Sequence, residues 1–165
     1  MISVIVDDLA LTQADAILRP ATESLGPTSP AIASLDEKAG PRFAEQRRVA
    51  SPLKAGAAVV TGSGDLAAPF VLHVVVQDQE TTKTGREIVR RALVSAWQRA
   101  TDWELGTIAT PLVGVDSGQL TVEEAVTLLA ETFPAEPKGF PTELHIVVDR
   151  DADRALVEAI VRRIS

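Results

Sequence analysis

The stretch 110–120 could bind a phosphate group. Its sequence, Thr-Pro-Leu-Val-Gly-Val-Asp-Ser-Gly-Gln-Leu, follows a short apolar run at 106–110 and precedes a helix that we expect to begin at Thr121. Glycines such as Gly114 and Gly118 let backbone N–H groups approach a ligand closely. The start of a helix adds unpaired N–H donors and the positive end of a dipole. This order of strand, loop and helix predicts a phosphate-binding loop, or else only a tight turn into a capped helix.

Asp116 lies in the middle of this stretch and works against phosphate binding. Two negative charges about 4 Å apart repel each other by about 1 kcal/mol in water and by several kcal/mol at a lower effective dielectric constant. The loop therefore binds a phosphate well only if the side chain of Asp116 turns away from it. No histidine lies where it would make Ser117 a nucleophile, and the sequence pattern of a nucleophile elbow is absent.

Other ionisable residues are better explained by structure than by chemistry. His73 and His145 lie in apolar, strand-like segments and are expected to be core or edge histidines, because two histidines alone make no zinc site. The acidic cluster at 149–153 lacks the spacing of a calcium-binding loop. We expect it to be the solvated start of a helix, with Asp151 as the cap. We predict no metal ion, no cofactor and no catalytic residue.

The composition is that of an acidic globular protein. The chain has 165 residues, of which 45% are hydrophobic and 24% charged, with a net charge of −7 and no cysteine. An acidic surface repels nucleic acids, and no apolar run is long enough to cross a membrane. The lack of cysteine excludes disulfides and thiolate metal sites and is compatible with the cytoplasm. We expect one cytoplasmic domain over residues 1–165 that binds neither nucleic acid nor membranes.

Strands and helices must alternate to position the loop. Strands are expected where short β-branched or apolar runs occur, and helices where apolar residues recur at helical spacing. Ser29 and Pro30 favour a helix start, while Thr84 and Thr121 each begin a capping-box pattern. The predicted strands are 2–6, 14–18, 57–61, 69–76, 106–110 and 143–148, and helices are predicted to begin near residues 30, 85, 121 and 151, with a short one through 43–46.

This order of elements predicts an α/β fold. Strands that alternate with helices favour a largely parallel sheet covered on both sides. The connection between the strands at 2–6 and 14–18 is too short for a usual crossover, so part of the sheet is expected to be mixed or antiparallel. The prediction is a three-layer α/β/α architecture, a mixed six-stranded sheet flanked by helices. A ligand cleft is expected at the C-terminal ends of the central strands.

Five segments carry a resemblance to a known family. Residues 6–9, Val-Asp-Asp-Leu, look like a Gly-Asp-Ile segment, and 15–22, Asp-Ala-Ile-Leu-Arg-Pro-Ala-Thr, look like Asp-Ala-Ile-Val-Asn-Ala-Ala-Asn. Residues 56–61 and 71–73 are similar to Gly-x-Ala-x-x-Thr and Val-Ile-His, and 111–120 are similar to Pro-Leu-Leu-Gly-Thr-Gly-x-Gly-Gly-Leu. In this order and spacing, they make the chain resemble a macro domain, the ADP-ribose-binding module, and the similarity spans nearly the whole sequence.

The resemblance implies a site for ADP-ribose or a related adenine nucleotide. Asp8 would accept a hydrogen bond from the adenine amino group, with the backbone of Leu9 beside it; alternatively, Asp8 only ends its strand and caps the next turn. Thr22 would lie on the ribose side. Arg19 would contact a ribose or phosphate, or else its side chain is solvated or ion-paired. The phosphates would lie between two loops, whose candidate ligand-binding residues are Thr28, Ser29, Ala31, Gly114, Val115, Asp116, Ser117 and Gly118.

Several positions depart from the family pattern. Pro30 has no N–H to donate in the first loop, and Ile32 stands where family hydrolases carry an aspartate. Asp36, one turn further on, could replace that aspartate, or it could be a charge on the helix surface. In the second loop Asp116 and Gln119 replace glycines. We therefore predict binding without efficient catalysis. The alternatives are a protein-interaction or structural module that keeps the fold, and a hydrolase of ADP-ribose conjugates.

Overall fold

The described part of the chain contains a six-stranded sheet with helices on both faces. A computed structural model describes residues 1–78, 85–134 and 139–164. The strands are β1 (Ile2–Val6), β2 (Ala16–Thr22), β3 (Ala58–Gly62), β4 (Phe70–Gln77), β5 (Thr107–Thr110) and β6 (Glu143–Val148). The helices are α1 (Pro30–Ala39), α2 (Pro41–Gln46), α3 (Arg86–Asp102), α4 (Val122–Thr132) and α5 (Asp151–Ile164), and Leu9–Leu11 form a turn of 3₁₀ helix.

The strand order is β1-β6-β5-β2-β4-β3. All neighbouring pairs are parallel except β3 and β4, so the predicted mixed six-stranded sheet is confirmed. We had expected the short connection between the first two strands to be the reason for a mixed sheet. That reason is wrong, because β1 and β2 are not neighbours. Strands β6 and β5 lie between them, and residues 7–15 make this connection through the 3₁₀ turn.

Strand β2 continues past its predicted end, through Arg19 and Pro20 to Thr22. Its ladder with β5 covers only Ala16 and Ile17, whereas its ladder with β4 extends over the whole strand. Beyond Ile17 the strand is therefore paired on one side only. The unpaired side tolerates a proline, which has no N–H to donate to a ladder.

Two helices begin at the predicted caps. Ser29 Oγ accepts a hydrogen bond from the N–H of Ile32 at 3.3 Å, and Pro30 is the first residue of α1. Thr121 and Glu124 form the reciprocal capping box of α4. The hydrogen bonds that Glu124 accepts from the backbone and side chain of Thr121 lower the pKa of its carboxyl. Local sequence signals are sufficient here because each cap satisfies donors within its own first turn.

The other two predicted helix starts differ from the structure. Helix α3 follows Gly85, which makes no side-chain cap hydrogen bond, and the predicted cap Thr84 lies outside the described residues. Helix α5 includes Asp151 as its first residue, so Asp151 is not its cap. The stripe expected on α3 is confirmed, since Ile88 is half-buried and the remaining members are buried: Val89, Ala92, Leu93, Ala96, Trp97 and Ala100.

The core consists of two main layers, one on each side of the sheet. Helices α3, α4 and α5 cover one face, and α1, α2 and the 3₁₀ turn cover the other. Successive residues of β2 alternate between them, since Leu18 packs in the first layer and Ile17 in the second. The predicted three-layer α/β/α architecture is confirmed. None of the helices in the described ranges is long and apolar enough to span a membrane.

Candidate functional site

An open cleft of about 750 Å³ lies at the C-terminal ends of β1, β6 and β5. Helix α1 forms one wall, α5 forms another, and the loop after β5 limits one end. The carboxyl ends of parallel strands share one edge of a sheet, so the loops that follow them converge there. Of the predicted ligand-binding residues, Asp8, Leu9, Ala31, Val115 and Asp116 line this cleft, whereas Thr22, Thr28, Ser29, Gly114, Ser117 and Gly118 do not.

Sequence reasoning missed most of the cleft walls. Leu35 and Lys38 of α1 and Leu156 of α5 line the cleft, and none of them was predicted to. A signal for the first two was present, because Ala31, Leu35 and Lys38 are spaced by four and three residues and therefore share one face of a helix. No comparable signal places α5 beside the cleft, since that depends on the strand order.

Both carboxylate oxygens of Asp8 have partners within the protein. Oδ1 accepts a hydrogen bond from the N–H of Ala10 at 3.0 Å and so caps the 3₁₀ turn, as one of our two interpretations predicted. Oδ2 accepts a hydrogen bond from Lys38 Nζ at 2.9 Å. The bond from Lys38, followed by that from Ala10, holds the pKa of Asp8 below its ordinary value. The Asp8 side chain is 42% exposed, and a carboxylate has further lone pairs, so it can still accept from a ligand.

The loop after β5 is shaped by Gly114. Its φ angle is 87°, and its carbonyl oxygen accepts hydrogen bonds from the N–H groups of Gln119 and Leu120 at 2.8 and 2.9 Å. A Cβ at Gly114 would lie 3.0 Å from the Leu120 side chain. This position therefore requires glycine for its backbone conformation and for the close packing of the loop.

The tip of the same loop has the donors that a phosphate needs. Gly118 has a φ angle of 78°, and its N–H donates to the carbonyl oxygen of Val115 at 3.0 Å. Within the described ranges, the backbone N–H groups of Asp116 and Ser117 donate to no protein acceptor. Successive free N–H groups in a turn form a concave anion site, and of these two residues Asp116 lines the cleft.

Gln119 ties this loop to the sheet. The register of β2 and β4 shifts between Ala21 and Thr22, so that Val76 faces no residue of β2. The carbonyl oxygen of Val76 accepts a hydrogen bond from Gln119 Nε2 at 3.2 Å instead. Gln119 Oε1 in turn accepts one from Ser117 Oγ at 2.7 Å. A bulge leaves its extra residue unpaired, and Gln119 supplies the missing donor.

The cleft lining carries an excess of negative charge. Its acidic residues are Asp7, Asp8, Asp116, Asp149 and Asp153, and its basic residues are Lys38 and Arg150. Both cations are already paired, Lys38 with Asp8 at 2.9 Å and Arg150 with Asp153 at 3.2 Å. Asp116 is exposed and is one of the residues that line the cleft. A bound anion would therefore be held by backbone N–H groups against this field.

Thr22 is engaged in a turn of its own. Its N–H donates to the carbonyl oxygen of Gly26 at 2.9 Å, and its Oγ1 accepts from the N–H of Gly26 at 3.0 Å. Thr28 and Ser29 lie next along the chain, where Ser29 caps α1. These three predicted residues therefore have structural roles or positions outside the cleft, while Ala31, on the first turn of α1, faces it.

Arg19 is fully buried and ion-paired, which is one of the alternatives that the sequence left open for it. Its Nε and Nη2 donate to Oδ1 and Oδ2 of Asp36 at 2.8 and 2.6 Å, and its Nη1 donates to the carbonyl oxygen of Leu25 at 2.9 Å. The Asp36 side chain is only 8% exposed. Our expectation of a surface charge at Asp36 is therefore wrong, and so is a role in place of the missing hydrolase aspartate, because Asp36 does not line the cleft.

His73 belongs to the same buried network. Its Nδ1 lies 3.2 Å from Arg19 Nη1, and its Nε2 lies 2.7 Å from Thr61 Oγ1. Because a guanidinium can only donate, Nδ1 must accept and the proton sits on Nε2. Burial, and then the charges of Arg19 and Arg47, lower the pKa of His73 well below its ordinary value. The prediction of a satisfied core histidine is confirmed. His145 is half-buried beside Glu143.

Within the described ranges, no three His, Asp or Glu side chains are grouped so that they could hold a metal ion. The chemistry available in the cleft is that of backbone donors, a few carboxylates and apolar walls.

Comparison with known proteins identifies the family of this chain. The family model described as Macro domain matches residues 20–129, about two thirds of the chain. The chain therefore belongs to the macro domain family, as its sequence segments predicted. Solved structures are similar to it: the Oceanobacillus iheyensis macrodomain with ADP has a TM-score of 0.78 at 18% identity, covering 98% of this chain and 90% of that one. The Trypanosoma brucei macrodomain in complex with ADP has a TM-score of 0.81 at 21% identity, covering 97% and 68%.

Several proteins named only as uncharacterized are similar to this chain in sequence. An uncharacterized protein of Aquifex aeolicus is 28% identical over 159 residues, 96% of this chain and 94% of that protein. One of Aeropyrum pernix is 26% identical over 124 residues, 75% and 66%. One of Mycobacterium tuberculosis is 24% identical over 154 residues, which are 93% of this chain but 43% of that protein. This chain thus spans less than half the length of the mycobacterial relative.

Proposed function

We propose that this macro domain binds ADP-ribose or a related adenine nucleotide in the cleft beside α1, without efficient catalysis. The observation that carries the proposal is that one cleft is lined both by Asp8, after β1, and by Asp116, after β5, whose backbone N–H donates to no acceptor in the described ranges. Asp8 would receive the adenine amino group, and the loop after β5 would receive the phosphates. The O. iheyensis and T. brucei macrodomains with ADP support this assignment. All described strands join one sheet, and this supports a single domain over residues 1–165.

The absence of efficient catalysis is supported by the residues of α1. Hydrolases of the family carry an aspartate where this chain has Ile32, as the sequence resemblance implies. The cleft-facing positions of α1 include Ala31, Ile32 and Leu35, and its aspartate at position 36 is held by Arg19 away from the cleft. We therefore expect no turnover of an ADP-ribosylated protein above the rate of the heat-denatured domain.

Calorimetric titration with ADP-ribose, ADP and AMP tests the binding proposal. We expect at least one of them to bind with micromolar to submillimolar affinity. Ala31→Trp would fill the cleft and should abolish that binding, whereas Ala33→Trp, two residues along the same exposed helix start but outside the cleft, should not. Absence of heat with all three nucleotides at millimolar concentration, in a folded domain, would refute the proposal.

A second candidate is favoured by the charge of the lining. Five carboxylates face two paired cations in the cleft, and this excess favours a basic segment of a partner protein over an anion. This is the protein-interaction alternative. A lysine-rich decapeptide titrated into the same sample distinguishes the two candidates, because it should give heat only if the cleft accepts cationic chains, and Ala31→Trp should then remove that heat.

A further inference from the structure

The described lining of the cleft stops short of β2 and β4, the two strands beyond β5 in the sheet. This lining comes from the loops and helices beside β1, β6 and β5, and includes no residue of β2 or β4. Neighbouring strands are about 4.8 Å apart, so the edge formed by β2 and β4 would extend the cleft by about 10 Å. A ligand that continues beyond β5 in this direction would meet this edge. The groups at the ends of β2 and β4 therefore determine whether such a ligand fits.

The end of β2 is covered by its own chain. Leu25 N–H donates to the carbonyl oxygen of Thr22 at 2.9 Å, and Gly26 is hydrogen-bonded to Thr22 in both directions. Leu25 adopts a φ angle of 61°, which is uncommon for a residue with a side chain. Its side chain is 1% exposed and packs on Ala21 and Val75. The turn therefore folds back against the end of β2, where Pro27 pairs with Ala21.

The end of β4 is covered by the second loop. Gln119 reaches from the loop to the carbonyl oxygen of Val76, which the bulge has left without a partner on β2, and Ser117 holds the other end of the Gln119 amide. Because β2 lies between β5 and β4 in the sheet, the Gln119 side chain spans the end of β2 on its way from the loop to β4. Two separate contacts, one at each strand end, close the same edge.

We propose that Gln119 and the Thr22–Gly26 turn restrict the cleft to nucleotides that end in a phosphate at the loop after β5, such as a nucleoside diphosphate. A second sugar attached beyond the diphosphate would meet the Gln119 side chain and the turn. Gln119 is thus a specificity-determining residue that selects against ADP-ribose in favour of ADP. This inference rests on the proposed adenine-nucleotide binding and specifies which member of that class is bound.

Calorimetric titration of the wild-type domain, Gln119→Ala and Gln46→Ala with ADP and with ADP-ribose tests the inference. The wild-type domain should bind ADP at least as tightly as ADP-ribose. Gln119→Ala should shift the ratio of the two affinities towards ADP-ribose by about fivefold or more, equivalent to about 1 kcal/mol. Gln46→Ala is the matched control, because Gln46 also bonds a backbone group, the N–H of Gly64 at 2.8 Å, but lies outside the cleft. It should leave the ratio unchanged.

The outcomes separate this inference from the proposal on which it rests. Binding of ADP-ribose by the wild-type domain about tenfold more tightly than ADP would overturn the inference and leave nucleotide binding established. A ratio that Gln119→Ala does not change would overturn the role of Gln119. If neither nucleotide binds to any of the three folded proteins, the proposed function itself fails. Thermal unfolding of each variant shows that it is folded at the temperature of the titration.

Discussion

Arg19 holds Asp36 away from the cleft. The two side chains meet in the interior between β2 and α1, joined by two hydrogen bonds, with the arginine fully buried. In sequence, Asp36 is the acid of α1 nearest to the position where a catalytic aspartate would be expected. In the folded protein, the Asp36 carboxylate balances the charge of the Arg19 guanidinium, which lies on β2. The wall of the cleft that α1 forms is thereby attached to the sheet without contributing a carboxylate to the cleft.

Asp36→Asn should strongly destabilise the domain. The substitution leaves the buried Arg19 charge without its counterion, and breaking a buried pair from one side typically costs about 3–5 kcal/mol. Glu37→Gln, at the next position but exposed, should change stability by less than about 0.5 kcal/mol. Urea denaturation followed by tryptophan fluorescence measures both. Equal midpoints for Asp36→Asn and the wild-type protein would show that Asp36 does not carry this charge balance.

His73 should make the domain less stable below about pH 6.5. The folded pKa of His73 is depressed by burial and by Arg19 and Arg47, while the unfolded pKa is about 6.5. Below that value the unfolded chain binds a proton that the folded chain excludes, so stability falls by up to about 1.4 kcal/mol per pH unit from this group. Above about pH 6.5 both states are neutral and the effect vanishes.

The measurement is the free energy of unfolding between pH 5 and pH 8 for the wild-type domain, His73→Gln and His145→Gln. His73→Gln should flatten the profile below about pH 6.5 relative to the wild-type protein, at some cost in overall stability from the lost contact with Thr61. His145, half-buried beside Glu143, serves as the control for removing a histidine. An identical slope in the wild-type protein and His73→Gln would contradict a neutral buried His73.

The sequence predicted the local features of this fold well and its long-range polar contacts poorly. The caps at Ser29 and Thr121 were correct because each is completed within one helical turn. The prediction of the buried strand β4 was correct because a continuous apolar run of this length is typical of a strand that is buried on both faces. An ion-paired Arg19 was one of the interpretations, but its partners Asp36 and His73 were not predicted, because they are 17 and 54 residues away and meet Arg19 only after the sheet forms.

The candidate site shows the same difference between local features, which could be predicted, and long-range contacts, which could not. Asp8 and Leu9 were located from a short segment after β1, and both line the cleft. Thr22 was placed beside a ligand by the family resemblance, but its hydroxyl accepts a hydrogen bond from the N–H of Gly26 in a turn that the sequence pattern does not reveal. The role of Gln119 was equally hidden, because it depends on a bulge in a strand that precedes it by 43 residues.

Asp116→Asn should strengthen the binding of ADP. The substitution removes one negative charge from the end of the cleft where the free N–H groups lie and keeps the size of the side chain. Removing a repulsion of about 1 kcal/mol would raise the affinity about fivefold. Asp102→Asn, at the end of α3 and outside the cleft, changes the net charge equally and controls for the overall field. Equal effects of the two substitutions would mean that only net charge matters and that Asp116 does not face the phosphates.

Raising the salt concentration should strengthen ADP binding, opposite to the usual behaviour of phosphate sites. Sites built from Lys and Arg lose affinity in salt because the attraction is screened. Here the lining has an excess of three negative charges, both of its cations are paired, and the whole chain carries −7. The Debye length falls from about 30 Å at 10 mM to about 8 Å at 150 mM, so salt mainly screens repulsion. We expect the ADP affinity to rise about twofold over this range, with a smaller rise in Asp116→Asn. A fall in affinity would show that Lys38 or Arg150 leaves its partner and binds the phosphates directly.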